Sequence, residues 1–207
     1  MCWNEAVSLN TFLFSLFGIS FAYFNTIITG YEYLYLISFI SMQLLEYFTW
    51  KHLNNKKINR LLSQLGLFLI ALQPILYILQ PNIDKTVPTL LIGLYIIFLF
   101  ACILYFPIDF SMTKAPNGHL AWNWLNFPPY IIITWVIFLS VILLYIKKYI
   151  IFIIQVSLFL AIYYTYYKTN TWGSLWCWIA NSISVFYIIR TFFKSSIPNY
   201  LVTNDKV

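Results

Sequence analysis

A chain of 207 residues in which 61% are hydrophobic and only 9% charged falls far below the roughly one quarter of charged residues in an ordinary soluble domain. That much apolar surface cannot be hidden in one core of this size, so a water-soluble globular fold is excluded and lipid is the expected solvent. The net charge of +6 is spread over the ends of apolar runs, which suits anionic lipid headgroups and not a nucleic-acid partner.

Apolar runs of about 18 to 25 residues recur along the chain, each long enough for a hydrocarbon layer of about 30 Å at 1.5 Å per residue. They predict an all-α transmembrane bundle of seven helices forming a single domain over 1–207, with helices near 8–27, 32–50, 60–80, 88–106, 128–146, 149–167 and 172–193. The first run has neither a basic leader nor a small-residue cleavage site and is expected to remain as an anchor. Gly30 and Glu32 part it from the second, and HLNNKKINR (52–60) carries charge that would be costly at mid-bilayer. Asp84 and Lys85 lie between Pro81 and Pro88, and the longest connection runs from Pro107 to Phe127 before Pro128 and Pro129, which suit a helix start. Lys147 and Lys148 divide the fifth helix from the sixth, with one tilted helix and snorkelling lysines as the alternative. A polar tail, 194–207, closes the chain.

Basic residues divide evenly between the two sides, and only the 51–60 cluster favours a cytoplasmic N-terminal side. Helix faces say more. Ser8, Thr11, Ser15, Gly18, Ala22 and Asn25 form a stripe of small or polar side chains on the first helix, suited to close packing in lipid. Ser63, Gly66, Gln73, Tyr77 and Gln80 make a similar stripe on the third, where Pro74 deprives a carbonyl one turn back of its donor and predicts a bend. The second helix gathers Gln43, Glu46, Tyr47 and Trp50, and the last gathers Gly173, Cys177, Asn181 and Ser184 beside Trp172 and Trp176. Polar groups in hydrocarbon need partners, so both faces are expected to point inward.

With seven crossings, Cys2, the end of the second helix, the 107–127 connection and the start of the seventh share one side. Glu46 then lies roughly 6 Å, Cys177 roughly 8 Å and Asn181 roughly 13 Å inside that boundary, with Cys102 in the same layer. The opening Met1-Cys2-Trp3 with Ser8 soon after, SMQLLEYFTW (41–50), LQP (72–74), GHLAW (118–122) and LWCW (175–178) together resemble a family of multipass membrane proteins of about seven helices that begin Met-Cys-Trp and carry a His-x-Ala-Trp loop motif, with bacterial, algal and large-DNA-virus members. The resemblance implies the fold and no activity. Gln43 and Glu46 stand in the opposite order to the bacterial pattern, and the extra cysteines before the loop motif are absent, so no disulfide brace is expected there.

The chemistry divides along the same lines. Glu46 is either a proton-coupled or cation-binding carboxylate, since intramembrane acids mark ion and substrate paths, or a structural acid bonded to a tryptophan or to Lys51. His119 and Trp122 are either a gate in the long loop or members of an interfacial aromatic belt. The two histidines and three cysteines have no zinc-site spacing and no CxxC, so no metal is expected, and no cofactor. Three cysteines leave at least one unpaired, and Cys2 can cross-link to Cys177 where their side faces an oxidising compartment. Lys194, at the very end of the last helix, rules out a mid-membrane retinal Schiff base. A small-molecule or ion carrier would use Gln43, Glu46, Gln73, Cys177 and Asn181 as its ligand site. A sensor or assembly scaffold would use the same groups to fix packing, and an enzyme lacks an assignable nucleophile and base. The expected partners are membrane lipid and, for a carrier, a small molecule or ion.

Overall fold

A computed structural model describes residues 3–79 and 83–193, apart from the side chain of Leu175. Cys2, Gln80 and the polar tail lie outside the described residues, and with them any cross-link of Cys2 to Cys177. Helix, 3-10 turns included, accounts for 78% of the described residues, with α-helices α1 (Glu5–Phe24), α2 (Gly30–Lys51), α3 (Lys56–Ile78), α4 (Thr86–Tyr105), α5 (Pro129–Tyr145), α6 (Tyr149–Tyr166) and α7 (Trp176–Phe192). Four of these, α1, α3, α4 and α6 with its extension to Thr169, are long and apolar enough to cross a membrane. The chain is a helical membrane protein. α2 has the length, 22 residues, but carries Glu32, Gln43, Glu46 and Lys51, whereas α5 and α7 have 17 residues each, about 26 Å of rise.

Capping explains where the helices begin. The Asn4 side chain accepts from the Val7 N–H at 2.9 Å, which starts α1 upstream of the expected residue 8. Thr29 and Glu32 form a reciprocal capping box at the start of α2, and the Asn55 side chain accepts from Ile58 N–H at 3.2 Å to start α3. The lysine pair settles the division of α5 from α6. Lys147 adopts φ 60°, its N–H bonds Leu144 O at 3.1 Å and the Lys148 N–H bonds Leu143 O at 2.8 Å, a Schellman stop that ends the helix. One continuous tilted helix is therefore excluded.

α1 packs against α2 and α7, α2 also meets α3 and α7, α3 meets α4 and α5, and α5 meets α4 and α6. The stripe on α1 does what its composition implies as far as the helix runs: Ser8, Thr11, Ser15, Gly18 and Ala22 are buried, and Gly18 abuts Ser184 of α7 closely enough that an added Cβ would stand 2.9 Å from the serine Cβ, whereas Asn25 caps the helix C-terminus and is exposed. α4 buries only Pro88, Tyr95 and Cys102 and α6 only Phe159, so these two helices turn most of their surface to lipid.

The 107–127 connection holds a feature absent from the expected architecture, an antiparallel hairpin of β1 (Met112–Lys114) and β2 (Leu120–Trp122). Its turn is closed by Gly118 N–H to Ala115 O at 2.9 Å and Ala115 N–H to His119 O at 2.8 Å, with Gly118 at φ 83°. Strands of three residues give no periodic signal, which is why the sequence reads there only as a loop.

Candidate functional site

The hairpin is docked on one end of the bundle by amides on both edges. A hairpin at a membrane boundary leaves two rows of backbone donors and acceptors that neither lipid nor an isolated strand can satisfy. On the β1 edge, Asn59 of α3 gives its Nδ2 to Met112 O at 2.9 Å and takes the Met112 N–H on Oδ1 at 2.8 Å. Across the pair Met112↔Trp122, the opposite edge is closed by Asn170, whose Nδ2 donates to Trp122 O at 2.7 Å while its backbone O accepts the Trp122 N–H at 3.1 Å. Asn170 sits at φ 53°, a left-handed conformation that asparagine tolerates better than most residues.

The side chains of β2 then enter the bundle. Trp122 is fully buried and its indole N–H donates to Glu46 Oε1 of α2 at 3.1 Å. Its ring stacks on Trp124, with centroids 5.1 Å apart and planes at 13°. Two glycines make the slot for this pair. A Cβ on Gly173 would stand 2.3 Å from the Trp122 ring, and one on Gly66 would stand 2.7 Å from that of Trp124, so any side chain at either position would displace an indole. The N–H groups of Trp124 and Trp176 and the hydroxyl of Ser174 have no hydrogen-bond partner among the described residues.

Below the slot the interior is aromatic. Trp172 meets Phe159 at 5.6 Å and Tyr163 at 5.7 Å, and Trp176 meets Phe39 at 5.4 Å. Trp135 reaches α3, where its indole N–H donates to Ile70 O at 3.3 Å. That carbonyl is the one Pro74 leaves without its helical donor, so an indole from α5 supplies what the proline withholds. One residue on, Ala71 O accepts from the Tyr95 hydroxyl of α4 at 3.0 Å.

The residues expected to form the ligand site divide. Glu46 and Gln43 are fully buried near the hairpin end of α2, and Cys177, also buried, donates its thiol to Ser174 O at 3.3 Å. Asn181 turns to α1, donating to the Thr11 hydroxyl at 3.4 Å. Gln73 does not join this layer: seventeen residues of α3 put it about 26 Å along the axis from the hairpin end. His119, 6% exposed, has its backbone N–H bonded to Asn117 Oδ1 at 3.2 Å. With Trp122 it lies within the docked hairpin, the indole acting as a plug. Asn59, Trp124, Asn170, Trp135 and Tyr95 complete the assembly and were not singled out by the sequence; Asn59 alone had a readable signal, as the next step of the polar stripe Ser63, Gly66, Gln73.

Two cavities stand out, and none of Gln43, Glu46, Gln73, Cys177 or Asn181 lines either. One, about 100 Å³, lies between α3, α4, α5 and the segment after the hairpin, walled by apolar and aromatic side chains including Leu67, Tyr95, Leu99, Cys102, Phe127 and Trp135. The other is an open hollow of about 640 Å³ in the Trp50–Lys57 turn. Among the described residues no three His, Cys, Asp or Glu side chains converge. Compared with protein-family models, curated proteins and solved structures, the chain finds no match in any of the three.

Proposed function

We propose that this is a non-transporting membrane protein that binds an apolar molecule, a lipid acyl chain, in the cleft between α3, α4 and α5, with the tryptophan hairpin as the cap that holds the cleft's wall in place. The observation that carries this reading is the cavity itself. Its lining has no charged side chain, its α4 wall from Tyr95 to Ile103 spans about 12 Å of rise, and the neighbouring α4 residues Ile97, Phe100 and Leu104 face outward. Concave apolar sites with few polar groups take apolar ligands. In this reading Glu46 serves as the acceptor that orients Trp122, and the resemblance to the Met-Cys-Trp family adds no activity to it.

The test is photocrosslinking in nanodiscs with a phospholipid that carries a diazirine midway along one acyl chain. Adducts are expected on Phe98, Leu99 and Ile132, and Leu99→Trp, which fills the cleft, removes them. Adducts spread evenly over α6 residues such as Ile150 and Ile153 sink the reading.

The carrier reading keeps one observation in its favour, a fully buried carboxylate at Glu46, since ionisable groups inside a membrane mark transport paths. Under it, Glu46→Gln changes uptake into proteoliposomes or its pH response with folding intact. Under the binding reading the same variant only loosens the hairpin.

A further inference from the structure

The end of the bundle away from the hairpin is lined with tyrosines. Tyr31 and Tyr35 stand one turn apart near the start of α2. Tyr77, in the last turns of α3, stacks on Tyr35 with ring centroids 4.6 Å apart, and Tyr187 of α7 is within electrostatic range of both, and of Glu32. One turn deeper than Tyr77, on the same face of α3, lies Gln73.

Gln73 is fully buried, and neither its Nε2 nor its Oε1 has a hydrogen-bond partner; the buried hydroxyl of Tyr31 has none either. An unsatisfied carboxamide inside a bilayer costs several kcal/mol, and a leucine would fill the same space without that cost. The tyrosine hydroxyls gathered beyond it at this end of the bundle are neutral and can both donate and accept. The carboxylate within electrostatic range of Tyr77 and Tyr187, Glu32, is occupied by the Thr29 N–H at 2.8 Å and the Thr29 hydroxyl at 3.1 Å, and Arg190, half-buried in the last turn of α7, lies within range of Tyr187 alone among these tyrosines. Among the described residues the buried acidic and basic side chains, Glu46 and His119, are both at the hairpin end, so a charged solute would find no fully buried counter-charge beside Gln73.

We propose that Gln73 is the floor of a second site, entered from the end where α2 begins and walled by Tyr31, Tyr35, Tyr77 and Tyr187, which takes a small uncharged solute bearing both a hydrogen-bond donor and an acceptor, of the primary-amide class. The site is independent of the apolar cleft, lying on another face of α3 and needing polar partners.

The test uses the full chain in liposomes with Cys2, Cys102 and Cys177 replaced by serine. Gln73→Cys reacts with N-ethylmaleimide roughly tenfold faster or more than Ile40→Cys, a control on α2 that is fully buried and lines neither cavity, because a closed interior must open at a cost of several kcal/mol before it reacts. A sulfonated maleimide reacts more slowly than the uncharged one, and acetamide in the bath slows labelling of Tyr77→Cys, which keeps the Gln73 carboxamide, while leaving the unfolded chain's rate unchanged. Equal rates at Gln73→Cys and Ile40→Cys overturn the proposal, and so does labelling of Tyr77→Cys that acetamide leaves untouched, which marks hydration alone. Should Gln73→Cys fail to fold, Tyr77→Cys must outpace the buried control in the same way. Gln73→Leu must leave the melting temperature unchanged; a rise of several degrees shows an amide closed off from any solute.

Discussion

Asn59 and Gln73 are amides on one face of the same helix, and they are used in opposite ways. Asn59, near the hairpin end, is satisfied through both polar atoms by the backbone of Met112, and with Asn170 it turns a bare two-stranded ribbon into a closed ladder. Gln73, near the other end, has no partner on either atom. Where the chain itself supplies the missing donors and acceptors, a buried amide holds structure. Where it does not, the amide marks a place for something that is not chain.

The contrast breaks most sharply at the plug. Trp122→Ala removes a fully buried indole from the slot between Gly66 and Gly173 and is expected to cost about 3–5 kcal/mol. Cleavage by trypsin at Lys114, in the exposed part of the hairpin, reports the undocking; if the cleavage rate stays at the wild-type level, the hairpin is not held by its tryptophans. Asn59→Leu deprives the Met112 N–H and carbonyl of their partners and is expected to cost about 1–3 kcal/mol, read as a lower melting temperature in detergent. Set beside Gln73→Leu, this pair measures the comparison directly: equal effects from both leucines would erase it.

Between the two amides lies Pro74, where the expected effect is smaller. Trp135→Phe removes the donor to Ile70 O and should cost about 1 kcal/mol. Pro74→Ala restores the helical N–H to that carbonyl, so in the double variant the loss at Trp135 shrinks, and a double-mutant cycle gives a coupling of about the same size. Additive losses would show that the indole contact is incidental. The smallest effect belongs to an exposed acid. At Asp84, donation from the Thr86 N–H and then the Thr86 hydroxyl holds the carboxyl below its ordinary value of 3.8. A depressed value means that its contribution to the start of α4 is present above the unfolded value and lost as pH falls through the folded one. The melting temperatures of wild type and Asp84→Asn should therefore differ slightly at neutral pH and converge in acid.

Much of the candidate site was legible at the level of which side it occupies. The end of α2, the 107–127 connection and the start of α7 do meet, because helices that run back and forth across a layer bring alternate ends together whatever their tilt. The partner of Glu46 was readable only as a tryptophan, not as Trp122. Gln73 was misplaced along the axis because a helical stripe records the angle of a residue around its helix and not its company at that depth. The hairpin was invisible for a different reason: six strand residues with their pairing supplied by Asn59 and Asn170 have no pattern of their own.

Composition alone decided that the chain is helical and lives in a membrane, since apolar runs of this length must satisfy their backbone internally wherever lipid is the solvent. Capping residues such as Asn4, Thr29 and Asn55 decided locally where the helices start. Only the tertiary structure decided which polar groups close on one another, because a hydrogen bond between Glu46 and Trp122, 76 positions apart, depends on helix rotation and depth that no local sequence signal encodes.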